Sequence, residues 1–174
     1  MVDYQSISII FAGLSIAASI VYYASVLRNA HKTREAQLFM QSYKETSTPE
    51  LQQRAYDLFS WEWQDFEDFN TKYWSDKESR SKFIAFMVYL NGLGIMLEEG
   101  HLPARLLYKM DQGGYIPIMV WYKFKSIILD QREFLNNPEN WKYLEYYAKV
   151  MIKLRIQNGL ATEWSQEQSR LILE

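Results

Sequence analysis

From Tyr4 to Leu27 apolar positions follow one another with no charged side chain between Asp3 and Arg28; the stretch reads YQSISIIFAGLSIAASIVYYASVL. At about 1.5 Å rise per residue, a helix of that length crosses the roughly 30 Å hydrocarbon core of a bilayer with some tilt. A secretory signal carries a basic start, a shorter apolar core and a small-residue cleavage site. Here the charge ahead of the run is acidic, and no clean Ala-x-Ala site lies at its end. The pattern predicts a retained N-terminal transmembrane helix. Arg28, His31, Lys32 and Arg34 crowd its C-terminal side. Basic flanks stay on the cytoplasmic side, so the N-terminus is expected outside the cell membrane and the rest of the chain in the cytoplasm. Arg28, Lys32 and Arg34 are then placed to meet anionic lipid headgroups.

Small residues fall on two arcs of this helix. With about 100° between successive residues, Ser8, Ala12, Ser15 and Ser19 share one side, and Ser6, Gly13, Ala17 and Ala24 nearly the opposite one. Bulky residues separate the arcs: Ile7, Phe11, Leu14 and Val21 on one flank, Ile9, Ile16 and Ile20 on the other. Small side chains let helices approach closely, and serines can hydrogen-bond across the contact. Two arcs predict a neighbour on each side, in a homo-oligomer or a larger membrane complex. Ser8, Ser15 and Ser19 on one face leave a serine-lined pore as the alternative. The absence of charge within the run argues against a proton relay there.

The helical pattern continues through Leu27, Ala30, Arg34, Leu38 and Tyr43 to Glu45 without Gly or Pro. Residues 1–45 therefore read as a transmembrane helix with its juxtamembrane continuation. Residues 46–160 read as an inner helical domain and 161–174 as a polar tail. Thr48 caps the next helix with Pro49 at its first position, and Leu51, Ala55, Leu58 and Phe59 give it an apolar stripe. Ser75 or Asp76 starts a strong helix with Phe83, Met87, Leu90, Leu93 and Leu97 inward, which Gly100 stops. Gly92 and Gly94 inside that helix each cost about 1 kcal/mol relative to alanine; close approach of another helix is the expected compensation. Pro103 opens a short helix to Met110, Pro117 restarts the chain after Gln112-Gly113-Gly114, and a last helix runs from about Glu139 to Asn158. No alternating run reads as a strand. The fold class is all-α, a membrane helix continuing into a bundle of about five helices.

Composition adds aromatic weight and little chemistry. There are six Trp, thirteen Tyr and nine Phe, two His and no Cys. Trp61, Trp63, Phe66 and Phe69 alternate with carboxylates. They read either as a docking patch for a basic partner or as anchors of a surface turn, the second being favoured. Glu98-Glu99-Gly100-His101 spells a single Glu-x-x-His, whereas helical di-iron sites use two plus further carboxylates. Amides at Gln112-Gly113-Gly114-Tyr115 precede a helix and could face an anion, but the lysine and fuller glycine pattern of a nucleotide loop are missing. No metal, cofactor or catalytic residue is therefore expected. With a formal net charge of −2 and scattered basic residues, nucleic acid is a poor partner.

Several stretches carry a likeness. Trp61–Phe69, Asn91-Gly92-Leu93-Gly94-Ile95, Glu99-Gly100-His101-Leu102-Pro103, the run from Met110 to Tyr122, and Asn137-Pro138-Glu139 leading into Tyr143–Tyr147 stand in an order that resembles DUF4760. That family comprises small prokaryotic membrane-anchored proteins described as a domain of unknown function. The N-terminal helix followed by Ala36-Gln37-Leu38-Phe39 is similar as well, although Glu99 stands where the family carries a basic residue. The resemblance implies the fold and the anchor, and no activity.

The combined expectation is a non-enzymatic, single-pass protein acting in assembly with itself or as an accessory subunit. A pore-forming or membrane-perturbing effector is the first alternative. A membrane-tethered enzyme or ligand sensor built around Gly100–Gly114 is the second.

Overall fold

A computed structural model describes residues 3–111 and 113–160, and every regular element among them is helical. The expected tail, 161–174, lies outside the described residues. Helix α1 spans Tyr4–Thr46, as a stretch without Gly or Pro after Gly13 permits. The chain divides into two units, residues 1–38 and 39–174.

In the first unit α1 is bare. Ile9, Phe11, Leu14, Ile16, Ile20 and Val21 are each at least 60% exposed, and an 18-residue window of the helix reaches a mean hydropathy of 1.9. Length and composition make it a candidate membrane-spanning helix.

The second unit takes in the last turns of α1, where Ser42 is buried and Tyr89 donates to its carbonyl oxygen at 3.1 Å. Thr46 Oγ1 shares a further short hydrogen bond with the same hydroxyl. These contacts tie the end of α1 to α4. Helix α2 (Pro49–Ser60) follows, with Thr48 Oγ1 accepting from Leu51 N and Pro49 in the first turn. A short α3 (Phe66–Phe69) runs into a π-helical turn, Asn70–Trp74. Helix α4 (Lys77–Glu98) starts where Asp76 accepts from Ser79 N, buries Phe83, Met87, Leu90, Leu93 and Leu97, and stops before Gly100 at φ +70°. Then come α5 (Ala104–Met110), α6 (Tyr115–Phe134) and α7 (Lys142–Gln157). The five longer elements after α1 make the expected bundle: α4 packs along α7, α6 against α7 and α2 against α4. Trp121, Tyr147, Phe69, Phe83 and Phe124 fill the core.

Gly94 is where α4 and α7 touch backbone to backbone, since a Cβ there would lie 2.0 Å from the Tyr143 carbonyl oxygen. Gly92 departs from the expectation: a Cβ there would meet nothing within 4 Å.

Two helix starts also differ from the sequence reading, both because the cap comes from elsewhere. Helix α6 begins at Tyr115, ahead of Pro117, with the Asp111 carboxylate accepting from Ile116 N. Helix α7 begins at Lys142 instead of Glu139. Trp141 adopts φ +56° and makes no side-chain cap, and Asn91 Oδ1 on α4 accepts from both Tyr143 N and Leu144 N at 3.1 Å.

Candidate functional site

Along α1 the small residues Ser8, Ala12, Gly13, Ser15, Ala17, Ser19 and Ala24 are all exposed. A Cβ on Gly13 would be unopposed. Ser8, Ser15 and Ser19 donate to the carbonyl oxygens of Tyr4, Phe11 and Ser15 at 2.9, 2.9 and 2.8 Å. Their donors are satisfied within the helix, so a contact on this arc rests on close backbone approach more than on interhelical donation. Arg28, Lys32 and Arg34 are exposed one after another beyond the apolar run.

The aromatic–acidic segment folds inward. Phe69 is fully buried and Trp61 is 9% exposed, with Trp61 stacked on Tyr73 at 4.1 Å between ring centroids. Trp63 stacks on Phe124 at 5.2 Å and carries the Lys123 ammonium 5.1 Å from its ring centre. Phe66 meets Phe134 at 6.1 Å. Trp61 and Phe69 thus present no face to a docking partner, because each ring is spent on the interior; Trp63 and Phe66 keep half-buried edges. The acids work locally. Asp65 caps Asp68 N at 2.9 Å. The hydrogen bond from Lys72, helped by Gln64 N, holds the Asp68 carboxyl below its usual range.

Glu98, Glu99 and His101 are exposed. Among the described residues no group of three His, Cys, Asp or Glu is arranged to hold a metal ion. The amides expected to face an anion are spent: Gly113 N donates to Tyr108 O, and Gly114 N and Tyr115 N donate to Asp111 O. The place an anion would take is held by the protein's own Asp111 carboxylate. Gln112 lies outside the described residues. Gly114, at φ +73°, is required twice over, since a Cβ there would lie 2.7 Å from the Met151 side chain.

Asp111 lines a cavity of about 410 Å³ inside the second unit. Leu51, Ala55 and Tyr56 of α2 form one wall, and Phe86, Tyr89 and Leu93 of α4 another. Met110, Tyr115, Ile116 and Tyr147 close it, with Thr46 at its polar edge. Asp111 is 8% exposed. Burial pushes its carboxyl up to about 7, against the pull of the Ile116 N–H and the positive charge of Arg155. Arg155 donates to Gly113 O at 3.0 Å, which ties the turn to α7. Burial likewise raises the hydroxyls of Tyr89 and Tyr147, and the Asp111 charge adds to both. A mostly apolar pocket with a few convergent polar groups and a displaced acid is the usual form of a ligand site. Sequence reasoning missed Asp111. Its one local signal is an acid just ahead of a glycine pair that cannot itself cap.

The family model for a domain of unknown function, DUF4760, matches residues 5–151. The chain belongs to that family. No curated protein and no solved structure matches it. The DUF4760 match begins inside the apolar run and ends on α7. The membrane-length helix and the cavity-bearing bundle are therefore parts of one DUF4760 unit.

Proposed function

We propose that the chain is a single-pass protein of the cell membrane, anchored by α1 with its N-terminus outside and its helical domain in the cytoplasm. It acts in protein assembly, as a homo-oligomer or as an accessory subunit of a larger membrane complex. The outer face of α4 carries this reading. Ile84, Val88 and Ile95 are 36%, 55% and 40% exposed and, at about 100° per residue, fall on one narrow stripe. Gly92 lies beside them. A glycine inside a helix costs about 1 kcal/mol relative to alanine, and among the described residues nothing uses the room it leaves. A partner helix seated on the stripe would use it. The two small-residue arcs of α1 support the same reading, and Arg28, Lys32 and Arg34 support the orientation.

The test is the mass of the native particle after gentle extraction, with copurifying chains identified. A closed oligomer or a stoichiometric complex that Val88→Glu breaks supports the proposal. A lone monomer that copurifies with nothing overturns it. A second reading, a membrane-tethered ligand sensor, is favoured by the cavity at Asp111 and stands or falls with saturable binding there.

A further inference from the structure

The walls of the Asp111 cavity are aromatic and aliphatic, with Thr46, Gln52 and Asp111 as the polar side chains besides the tyrosines. Six aromatic side chains line it: Tyr56, Phe59, Phe86, Tyr89, Tyr115 and Tyr147. Asp111 is the one acidic side chain among the lining residues, and no Lys, Arg or His is among them. Among the described residues a single donor, Ile116 N–H, serves both carboxylate oxygens, at 3.2 and 3.1 Å. A carboxylate offers about four acceptor sites, so most of its capacity is unused in a place where burial makes unused capacity costly. Arg155, the nearest basic influence, spends an N–H on Gly113 O and does not line the cavity. An aromatic enclosure around a carboxylate repels anions and gives a neutral ligand nothing for the charge. It favours an organic cation, whose ammonium pairs with the carboxylate while its surface lies against ring faces.

We propose that this cavity binds an organic ammonium ion carrying an apolar body of one or two rings, with Asp111 as the counter-ion and the tyrosine and phenylalanine rings as its walls. The inference rests on the sensor reading above and names the ligand class for it. The volume of about 410 Å³ falls within the range of small-molecule pockets. Tyr89 and Tyr147 supply ring surface to the wall, the Tyr89 hydroxyl being engaged by Ser42 O and Thr46 Oγ1.

The experiment is calorimetric titration of the full chain in lipid nanodiscs at pH 8, with empty nanodiscs as the blank. The probes are 2-phenylethylamine, 2-phenylethanol and 3-phenylpropanoate. The amine is expected to bind saturably and at least tenfold more tightly than the alcohol, with no saturable binding of the acid. Asp111→Asn should erase the difference between amine and alcohol. Ala55→Trp, which fills the cavity from the α2 wall, should abolish amine binding while leaving the helical spectrum unchanged. If Asp111→Asn fails to fold, Ala55→Trp decides: amine binding that survives it overturns the site. Equal affinities for the three probes, or an amine preference that persists in Asp111→Asn, overturn the ammonium assignment but leave a ligand-binding domain. Absence of saturable binding by every probe overturns the assignment and the sensor reading together.

Discussion

A Cβ on Gly94 of α4 would lie 2.0 Å from the carbonyl oxygen and 2.6 Å from the carbonyl carbon of Tyr143 on α7. Both clashing atoms are backbone, so no rotamer change relieves them, and the helices would have to separate. Gly94→Ala is therefore expected to destabilise the inner domain by about 3 kcal/mol, the upper part of the overpacking range. Gly92→Ala, two residues away in the same helix, meets nothing within 4 Å. It should stabilise the isolated monomer by about 0.5–1 kcal/mol through helix propensity alone. Urea unfolding followed by tryptophan fluorescence separates the two. If the α4 stripe seats a partner helix, Gly92→Ala also lowers the fraction of assembled particle in a native mass measurement.

Asn91 caps a helix to which it does not belong. Its Oδ1 accepts from Tyr143 N and Leu144 N, both at 3.1 Å, where Trp141 provides no side-chain cap. Asn91→Ala orphans two amides at a packed helix start and should cost about 1–2 kcal/mol. Asn91→Asp keeps the acceptor and adds a charge favourable at a helix N-terminus, so its midpoint should match or exceed that of the parent. Equal denaturation midpoints for Asn91→Ala and the parent would refute the cap.

How much of this was legible from residues follows from how local each cause is. Thr48-Pro49, Asp76 and the stop at Gly100 act within a turn of themselves, and the structure has them where the sequence puts them. The starts of α6 and α7 were misplaced by two or three residues because their caps, Asp111 and Asn91, lie five residues away or on another helix. From their spacing Trp61 and Phe69 read as a docking patch or, with preference, as anchors of a surface turn. Their burial is decided by Tyr73 and, above all, by Phe83, which only the fold brings near both rings. The cavity was not legible, since its walls come from six helices and its acid sits in a turn.

Lys123 joins two parts of the chain far apart in sequence. Its ammonium donates to Phe59 O in the last turn of α2 at 3.0 Å and to Trp61 O just past that helix at 2.8 Å, while resting over Trp63. Lys123→Met keeps most of the apolar stem but leaves both carbonyls without this donor. It should cost about 1.5–3 kcal/mol, the range for hydrogen bonds to a charged group. Faster hydrogen exchange at Trp61 and Glu62 should accompany the loss. Unchanged stability and exchange would show that water replaces the ammonium at no cost.

The Asp111 carboxyl gives the domain a pH dependence of unusual sign. Its folded value is raised from 3.8 to about 7, so between those values the folded state holds a proton that the unfolded chain has released. Stability from this group is full below about pH 4, falls as pH rises through that window, and levels off above it. A shift of this size corresponds to on the order of 4 kcal/mol. Arg155, Tyr89 and Tyr147 are the ionisable groups coupled to it; Arg155 opposes the shift. Asp57, Asp68 and Asp76 are held below their ordinary value by hydrogen bonds. Their stabilisation is lost only in more acid solution, outside this window. Urea midpoints measured at pH 5, 6.5 and 8 should therefore decline in that order. Asp111→Asn, which keeps an acceptor for Ile116 N without a charge, should flatten the series and be the more stable protein at pH 8. A parent series that is flat or rises toward pH 8 would mean that the buried carboxylate is stabilised by contacts stronger than its cost of burial.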